Sequence, residues 1–398
     1  LPDARAVDAR GPDAGSGDAA SADGGASDAG TSAAACSLAD CTVYVATNGS
    51  DTNRGTMESP FATVQHAADV AQPGDVICAR GGTYTGVALA RSGAPSQPIV
   101  LRTYPGETAA LSAGLAFFAG WGQPVGWILV QGFDITQPPA TPSDSGQCVY
   151  FHSAHDVVLR QNVVHDCYGQ GLLGDAHNVV IDGNRIARSG LSFVNDSMRS
   201  NLYHGIYMTG TNITITNNII EGNAAYGVQV AGYPWDPTDP NHPAGPEYSG
   251  ASGWAIVNNT IVRNLNRAGI VVWQPDARDN LIENNIFFQN DELGPGSGGT
   301  NGIDFYHCGA GNRVSNNLYF GSGPPVSDTE GGASYVEANP YLSDPQFVDV
   351  ARSDFHLQPG SPAIDHGEAA GAPDHDAECN PRPRGGAVDI GAYERAAP

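Results

Sequence analysis

The sequence contains no lysine, and all 18 of its basic residues are arginine. Against them stand 42 acidic residues, which give a formal net charge of −24. So acidic a chain cannot assemble the basic patch that neutralises a phosphate backbone, and nucleic-acid binding is excluded. The absence of lysine also excludes every mechanism that uses lysine as the catalytic base. No apolar run approaches the length of a membrane-spanning helix, and no CxxC pair is present to hold a metal.

Cysteine is scarce but informative, with seven residues in the chain. Cys36 and Cys41 are spaced for a small loop disulfide, and Cys148 and Cys167, one repeat apart, for a second. The sequence offers no evident partner for the remaining three: Cys78, Cys308 and Cys379. The count permits an oxidising compartment.

The first 35 residues differ in composition from the rest of the chain. Ala, Asp, Gly and Ser dominate them, with aspartates at Asp3, Asp8, Asp13, Asp18, Asp23 and Asp28. Such a segment buries too little apolar surface to offset its chain entropy, so we expect a disordered tether over residues 1–35. No signal peptide is present, which fits a mature exported chain or a cytosolic one. Tethers of this kind follow the targeting signal in bacterial secreted proteins and lipoproteins. We therefore predict a bacterial protein that is secreted or tethered at the cell surface. We expect it to be a monomer.

A short phrase recurs between Cys148 and Phe320: two or three β-branched or aliphatic residues, then Asn, then two more apolar residues. Aligning the phrases places six asparagines in one column: Asn162, Asn184, Asn218, Asn259, Asn285 and Asn317. The shortest spacing, 22 residues, indicates the bare repeat, and longer spacings carry insertions. We interpret the column as stacked amides that hydrogen-bond from coil to coil, a structural role.

A second phrase, Gly–apolar–variable–apolar, precedes most of the asparagine motifs. It reads GLLG from Gly171, GIYM from Gly205, GVQV from Gly227, GIVV from Gly269 and GIDF from Gly302, with CVYF from Cys148 in the same place. Short β-rich runs that repeat without helical periodicity are typical of a parallel β-solenoid. Because successive strand residues point to opposite faces, we expect Ile206 and Met208 inside and Tyr207 outside.

Two segments resemble parts of known β-helix proteins. Residues 42–86, TVYVATNGSDTNRGTMESPFATVQHAADVAQPGDVICARGGTYTG, resemble the N-terminal cap of secreted right-handed β-helix proteins, including alginate-active and chondroitin-active lyases. Within them Val64, Ala67, Ala68 and Ala71 share one helical face and predict a short capping helix. Residues 340–394 resemble a carboxy-terminal segment of bacterial β-helix proteins.

The resemblance implies an all-β fold, a single-stranded right-handed parallel β-helix of the pectate-lyase-like superfamily. We expect one β-helix domain over residues 36–398. Its parts are an N-terminal cap at 36–97, coils at 98–339 and a C-terminal cap segment at 340–398.

Outward residues of consecutive Gly-phrase strands should stack in columns about 4.8 Å apart per coil. An outer face without a role should mix polar and small residues, whereas this face concentrates Tyr, His, Asp and Trp. One column contains Tyr150, Tyr207, Gln229 and Asp304, and the next contains His152, Asp175, Trp273 and Tyr306. We therefore expect a functional groove over these strands.

His204 stands one step before the strand that carries Tyr207. A neutral imidazole takes up a proton near pH 7, and a phenol gives or takes one beside a cation or an imidazole. These groups suit β-elimination of a uronate, which needs a base for the C5 proton, an acid for the leaving oxygen and a cation at the carboxylate. The alternative for His204 is a capped turn histidine. The predicted catalytic residues are His204 or His152 as base, Tyr207 or Tyr150 as acid, and Asp175 as an orienting carboxylate or Ca²⁺ ligand.

Insertions near residues 189–203, 233–253 and 290–300 interrupt the repeat and should frame the groove. Arg199 or Arg267 would meet the substrate carboxylate, and Trp235, Trp254 and Trp273 would stack on sugar rings. The predicted substrate-binding residues are Arg199, Arg267, Gln229, Trp235, Trp273, Asp304, Tyr306 and His307.

Other enzyme classes stay open. A glycoside hydrolase needs paired carboxylates, but Asp175 and Asp304 lie four coils apart, about 19 Å, which argues against that pair. The phrase GIDFYH from Gly302 resembles the Asp, Tyr and His motif of mannuronan C5-epimerases in a different order. The net charge repels a polyuronate unless arginine or Ca²⁺ reverses the field locally, and a neutral substrate would favour hydrolysis.

Two groups of residues have the composition of a metal site. The first group could bind Ca²⁺ or form a solvated loop, and we favour the loop. It consists of Asp374, His375, Asp376 and Glu378. For the second group ordinary turn residues are favoured over a metal site: His152, His155, His165 and Asp166. Ca²⁺ is thus the one candidate cofactor.

Together these patterns predict a polysaccharide lyase that cleaves a uronate-containing glycan by β-elimination. The alternatives are a glycoside hydrolase or C5-epimerase on the same fold, and a non-catalytic carbohydrate-binding surface protein. A polysaccharide is the expected partner in every case.

Overall fold

The computed structural model describes residues 36, 40–139, 146–196, 202–231, 250–291, 302–321, 323–328 and 335–396. The predicted tether and most of the second and third predicted insertions lie outside these ranges. Within them, no helix combines the length and the apolar character needed to span a bilayer.

The chain visits three parallel sheets in turn, which is the predicted parallel β-helix. The site sheet, which carries the Gly phrases, contains Val87–Leu89, Leu115–Phe117, the first part of Val149–Arg160, the first part of Leu172–Asp182, Ile206–Thr209, Val228–Ala231, Ile270–Trp273, Ile303–Tyr306 and Val326–Asp328. The second sheet contains Val43–Val45, Val76–Ala79, Ile99–Thr103, Val125–Gln131, the remainders of Val149–Arg160 and Leu172–Asp182, Ile213–Thr216, Ala255–Val257, Leu281–Glu283, Asn312–Ser315 and Tyr335–Ala338.

The third sheet has ten strands: Gly82–Tyr84, Ala109–Leu111, Asp134–Ile135, Val163–His165, Arg185–Ala187, Ile219–Glu221, Thr260–Val262, Ile286–Phe288, Leu318–Phe320 and Tyr341–Leu342. Two small pairs complete the strands, Ala251–Ser252 with Ala277–Arg278 and Phe347–Asp349 with Asp354–Leu357. Sheet strands therefore begin at Val43, inside the segment assigned to the N-terminal cap.

Side-chain alternation builds the core between the sheets. Ile206 and Met208 are fully buried while Tyr207 between them is partly exposed, as predicted. Aromatic rings stack from coil to coil, with Phe117 and Phe151 centred 4.8 Å apart. Each fully buried side chain of this size contributes about 1.5–3 kcal/mol through the hydrophobic effect.

The predicted capping helix is Val64–Val70. Thr63 caps its first turn by accepting a hydrogen bond from the backbone N–H of His66 at 3.1 Å. Val64, Ala67 and Ala68 are buried, and so is Ala71 just beyond the helix. The predicted apolar face therefore packs onto the core.

The asparagine column is confirmed as a buried ladder. The amide nitrogen of Asn162 donates to the side-chain oxygen of Asn184, and this step repeats through to Asn317 at 2.9–3.1 Å. A second ladder, which the sequence reading missed, links Asn223, Asn264 and Asn290. Both ladders fix turns of the solenoid.

The C-terminal segment lies along the outer face of the third sheet. Phe355, Leu357 and Ile390 pack there against Ile219 and Val262. The buried guanidinium of Arg382 pairs with Glu394 at 2.8 Å and donates to Asn217 at 3.2 Å. This segment therefore braces the coils on the side of the third sheet.

The disulfides correct part of the cysteine prediction. Cys148–Cys167 is confirmed, but the Cys36–Cys41 pairing is wrong: Cys36 bonds Cys379 and Cys41 bonds Cys78. The strand Val43–Val45 lies beside Val76–Ala79, which brings Cys41 next to Cys78. Sequence spacing does not reveal such neighbours, because coils bring together residues far apart in the chain.

Candidate functional site

The predicted outward column is present on the site sheet. Its residues pair in register across successive strands: Tyr150, Leu173, Tyr207, Gln229, Val271 and Asp304. Five coil steps separate Tyr150 from Asp304, which at strand spacing amounts to about 24 Å. The predicted site residues therefore divide into two groups, one at each end of the column.

The Arg267 cluster consists of His204, Tyr226, Arg267, Asp291 and Asp304. Its members come from consecutive coils, since Tyr226 precedes the strand Val228–Ala231 and Arg267 precedes Ile270–Trp273. The phenol of Tyr226 donates to Asp304 Oδ2 at 3.4 Å. The hydroxyl of Ser327 donates to Asp304 Oδ1 at 2.6 Å. Stacking of coils thus holds Asp304 in one orientation.

His204 is only 2% exposed. Its Nδ1 accepts a hydrogen bond from the backbone N–H of Tyr226 at 3.2 Å, which places the neutral ring's proton on Nε2. Burial lowers the pKa of His204 to about 3, and the charge of Arg267 acts in the same direction. The ring is therefore a buried neutral imidazole that fixes the backbone of Tyr226, with no lone pair left for a C5 proton.

Two groups in the Arg267 cluster have shifted pKa values. Burial raises the pKa of Asp291 from 3.8 to about 6, with Arg267 opposing the shift and Asp304 adding to it. Burial, followed by the charge of Asp304, raises the pKa of Tyr226 well above its usual value. Near neutral pH the cluster thus combines a guanidinium, a carboxyl that exchanges its proton and a phenol that keeps its proton.

The Tyr150 group lies at the other end of the column and contains Tyr150, His152 and Asp175. Asp175 Oδ2 accepts from the backbone N–H of Ser153 at 2.8 Å, and Oδ1 lies 3.8 Å from His152 Nδ1. Burial, with the charge of Asp175 second, raises the pKa of Tyr150. Asp175 and Asp304 stand four coils apart, which supports the argument against them as a hydrolase pair.

The remaining predicted residues fall around these two groups. Tyr207 lies between them, with its ring 5.6 Å from that of His204, and Gln229 is buried beside it. Trp273 pairs in register with Tyr306, whose ring contacts His307 at 4.7 Å. Arg199 and Trp235 lie outside the described residues.

Trp254 does not stack on sugar rings as expected. Its side chain is 1% exposed, and its indole nitrogen donates to the backbone carbonyl of Gly210 at 2.8 Å. The ring fills the core, so the prediction that it faces a sugar is wrong.

Two members of the Arg267 cluster were not predicted as site residues. Tyr226 occupies the same pre-glycine column as His204, a signal that was available. Asp291 follows the apolar phrase from Ile286 and carries no motif of its own. Only its place beside Arg267 and Asp304 in the folded chain marks it.

The groups weighed as metal sites are hydrogen-bonded within the protein. Asp376 was predicted to lie in a solvated loop, but it is 1% exposed. Its carboxylate accepts hydrogen bonds from the backbone N–H groups of Glu378, Asn380 and Glu394. His165 contacts Asp134 and Asp166. Across the described ranges, no group of three or more His, Cys, Asp or Glu is arranged to hold a metal ion.

Two family models match the chain. The Pel9A-like right-handed β-helix region covers residues 43–189, and the right-handed β-helix region covers residues 189–341. Together they account for the three-sheet solenoid up to the start of the C-terminal segment.

Individual relatives share stretches of sequence or the fold. Pectate lyase PEL9 of Emericella nidulans is 44% identical over 69 residues, which is 17% of this chain and 17% of that protein. The aligned stretch thus spans under a fifth of that relative. A solved rhamnogalacturonan lyase covers 81% of this chain and 96% of its own, at 14% identity and a TM-score of 0.52. A solved glycoside hydrolase aligns with 80% of this chain over 99% of its own length, at 10% identity and a TM-score of 0.54. At such identities the likeness shows the shared fold.

Proposed function

This chain belongs to the pectate-lyase-like superfamily of right-handed β-helix proteins, and on that premise we propose that it is a polysaccharide lyase. The substrate is a uronate-containing glycan that lies along the outward column of the site sheet. The supporting observation is the Arg267 cluster, in which a guanidinium, a carboxyl of raised pKa and a protonated phenol lie together.

Each group has one role in the elimination. Arg267 binds the uronate carboxylate and neutralises the charge that develops at C5. Asp291, ionised above about pH 6, takes the C5 proton. The electron pair forms the C4–C5 double bond, the C4–O bond breaks, and Tyr226 gives its proton to the leaving oxygen. Tyr207, which is partly exposed on the outward column, is the alternative acid.

A glycoside hydrolase is the second candidate, because the cluster contains two carboxyl groups in different environments. Asp291 would be the protonated acid below about pH 6, and Asp304, held by Ser327 and Tyr226, would be the base or nucleophile. The two reactions need opposite protonation states of Asp291. They therefore predict opposite pH dependence.

The first experiment is incubation with a panel of uronic and neutral polysaccharides. A lyase generates the ultraviolet absorbance of an unsaturated uronate, and its rate rises as the pH increases through about 6. Reducing ends without that absorbance, with a rate that falls above the same pH, would replace the lyase by the hydrolase. Retention on a glycan array without any product would indicate the carbohydrate-binding surface protein.

Arg267→Ala tests the cluster itself. We expect kcat/KM on the uronate to fall by about 100-fold or more, since one charge-stabilising group is lost at the transition state. Arg263→Ala is the matched control, because its guanidinium contacts Gln289 and Phe288 on the third sheet. Equal activity in the two variants would remove Arg267 from the site.

We further propose that the protein works outside the cytosol. Six of its seven cysteines form disulfides, a usage that fits an oxidising compartment. A tether over residues 1–35, by its composition, would place the solenoid at a cell surface. Fractionation of the producing cells, with anchored and released protein measured separately, tests both parts.

A further inference from the structure

A trough of about 530 Å³ lies over the first coils of the site sheet. On these coils the outward column continues from Tyr150 to two small residues, Ala116 and Ala88. The trough lies over the small residues, and Tyr150 lines it. Gln65, Gln137 and Gln147 contribute to its walls. The described residues that line it include no charged side chain. The trough therefore offers amide and backbone groups to a ligand, and no cation for a carboxylate.

An exposed tryptophan is linked to this trough through the rings of His152 and Tyr150, and Tyr150 lines the trough. Trp121 occupies a turn between Gly120 at φ 122° and Gly122 at φ 69°, values that favour glycine. Its side chain is 66% exposed, although its ring centre lies 4.6 Å from that of His152. The rings of Phe118 and Tyr150 lie 5.4 Å and 6.3 Å from the same imidazole. These three aromatic rings around His152 form the Trp121 cage.

The imidazole within the cage has unused hydrogen-bonding capacity. His152 is 7% exposed, and among the described residues its buried Nε2 has no hydrogen-bond partner. Its Nδ1 lies 3.8 Å from Asp175 Oδ1, beyond hydrogen-bond distance. A buried polar atom without a partner costs free energy, so a hydroxyl delivered to Nε2 would be bound favourably.

We propose that the trough and the Trp121 cage bind uncharged sugar residues of the polysaccharide. A pyranose ring stacks on Trp121 while one of its hydroxyls bonds His152 Nε2. A uronate is disfavoured there by Asp175 and by the net charge of −24.

Combined with the proposed function, on which this step rests, the substrate is a heteropolysaccharide. Its neutral sugars occupy the trough while a uronate occupies the Arg267 cluster, about 24 Å away along the column. A homopolymer of uronate would leave the trough without a complementary ligand. The two ends of the site sheet thus select different sugars of one chain.

Calorimetric titration of the full chain with neutral hexasaccharides (cellohexaose, mannohexaose and galactohexaose) and with hexagalacturonate tests the binding step. At least one neutral probe should bind. Trp121→Ala should lower the affinity for that probe roughly tenfold, because one good ring contact is lost. His152→Phe keeps an aromatic ring but removes the imidazole nitrogens, and should also weaken binding. The matched control is Trp127→Ala, because Trp127 contacts His155 on the second sheet at the same 4.6 Å.

Binding confined to hexagalacturonate, or neutral binding that Trp121→Ala and His152→Phe leave unchanged, overturns the proposal. The neutral hexasaccharides contain no uronate to eliminate, so their titration separates this proposal from the lyase. Arg267→Ala should lower kcat/KM for elimination by about 100-fold or more and leave neutral binding intact. If the protein binds a neutral hexasaccharide but shows no β-elimination on any uronate glycan, the lyase proposal is wrong and the neutral-sugar site stands.

Discussion

Asp291 is a carboxyl that folding makes harder to ionise. Burial raises its pKa from 3.8 to about 6, so the folded state holds this proton more tightly than the unfolded state. The associated stability is fully present below the unfolded pKa and is lost as the pH rises through about 6. At neutral pH the ionised carboxylate of Asp291 therefore lowers the free energy of unfolding. The same raised pKa makes the carboxylate a better base.

Asp291→Asn should accordingly raise the free energy of unfolding at pH 8, by about 1 kcal/mol after discounting for its partial exposure. At pH 4 the same change should have little effect, because the native carboxyl is then protonated. Urea unfolding at the two pH values measures the difference. Asp279→Asn, at an exposed carboxylate outside the cluster, is the control and should show no such pH dependence.

The asparagine ladder shows how a single element secures neighbouring coils. Asn218 donates to the carbonyls of Ile181 and Thr216 and to the side chain of Asn259. Its own oxygen accepts both the backbone and the side-chain N–H of Asn184. Every one of these groups is buried, so each bond that is lost leaves a buried polar atom unpaired.

We expect Asn218→Ala to lower the free energy of unfolding by about 3 kcal/mol, because several buried groups lose their partners together. Asn48→Ala, at an exposed asparagine, should change it by less than about 0.5 kcal/mol. Denaturant melts of both variants provide the comparison. Equal losses would mean that the ladder contributes no more than a surface amide.

At the scale of the whole molecule, the net charge of −24 opposes an acidic substrate. Raising the ionic strength from about 0.01 M to about 0.15 M shortens the Debye length from about 30 Å to about 8 Å. We therefore expect kcat/KM on an acidic polysaccharide to rise several-fold over this range. Affinity for a neutral hexasaccharide should stay constant. A rate that falls as salt is added would show that local attraction at Arg267 outweighs the overall repulsion.

The solenoid could be predicted from the sequence because its periodicity is local. Alternation along each strand placed Ile206 inside and Tyr207 outside, and the recurring phrases aligned Asn162 with Asn317 and Tyr150 with Asp304. These assignments need only the geometry of a strand and the assumption that repeats stack. The fold class, the capping helix, the ladder and the outward column are all confirmed on that basis.

Tertiary structure alone decided what depends on distant neighbours. The Cys36–Cys379 bond exists because the C-terminal segment returns along the third sheet, over a separation of 343 residues. His204 is buried, Trp254 is in the core, and Asp291 stands beside Arg267 because of how coils and insertions pack. Burial and nearby charges set a pKa, and neither can be read from spacing. The sequence therefore determined the scaffold and its columns, and the folded chain determined which residues of those columns share a site.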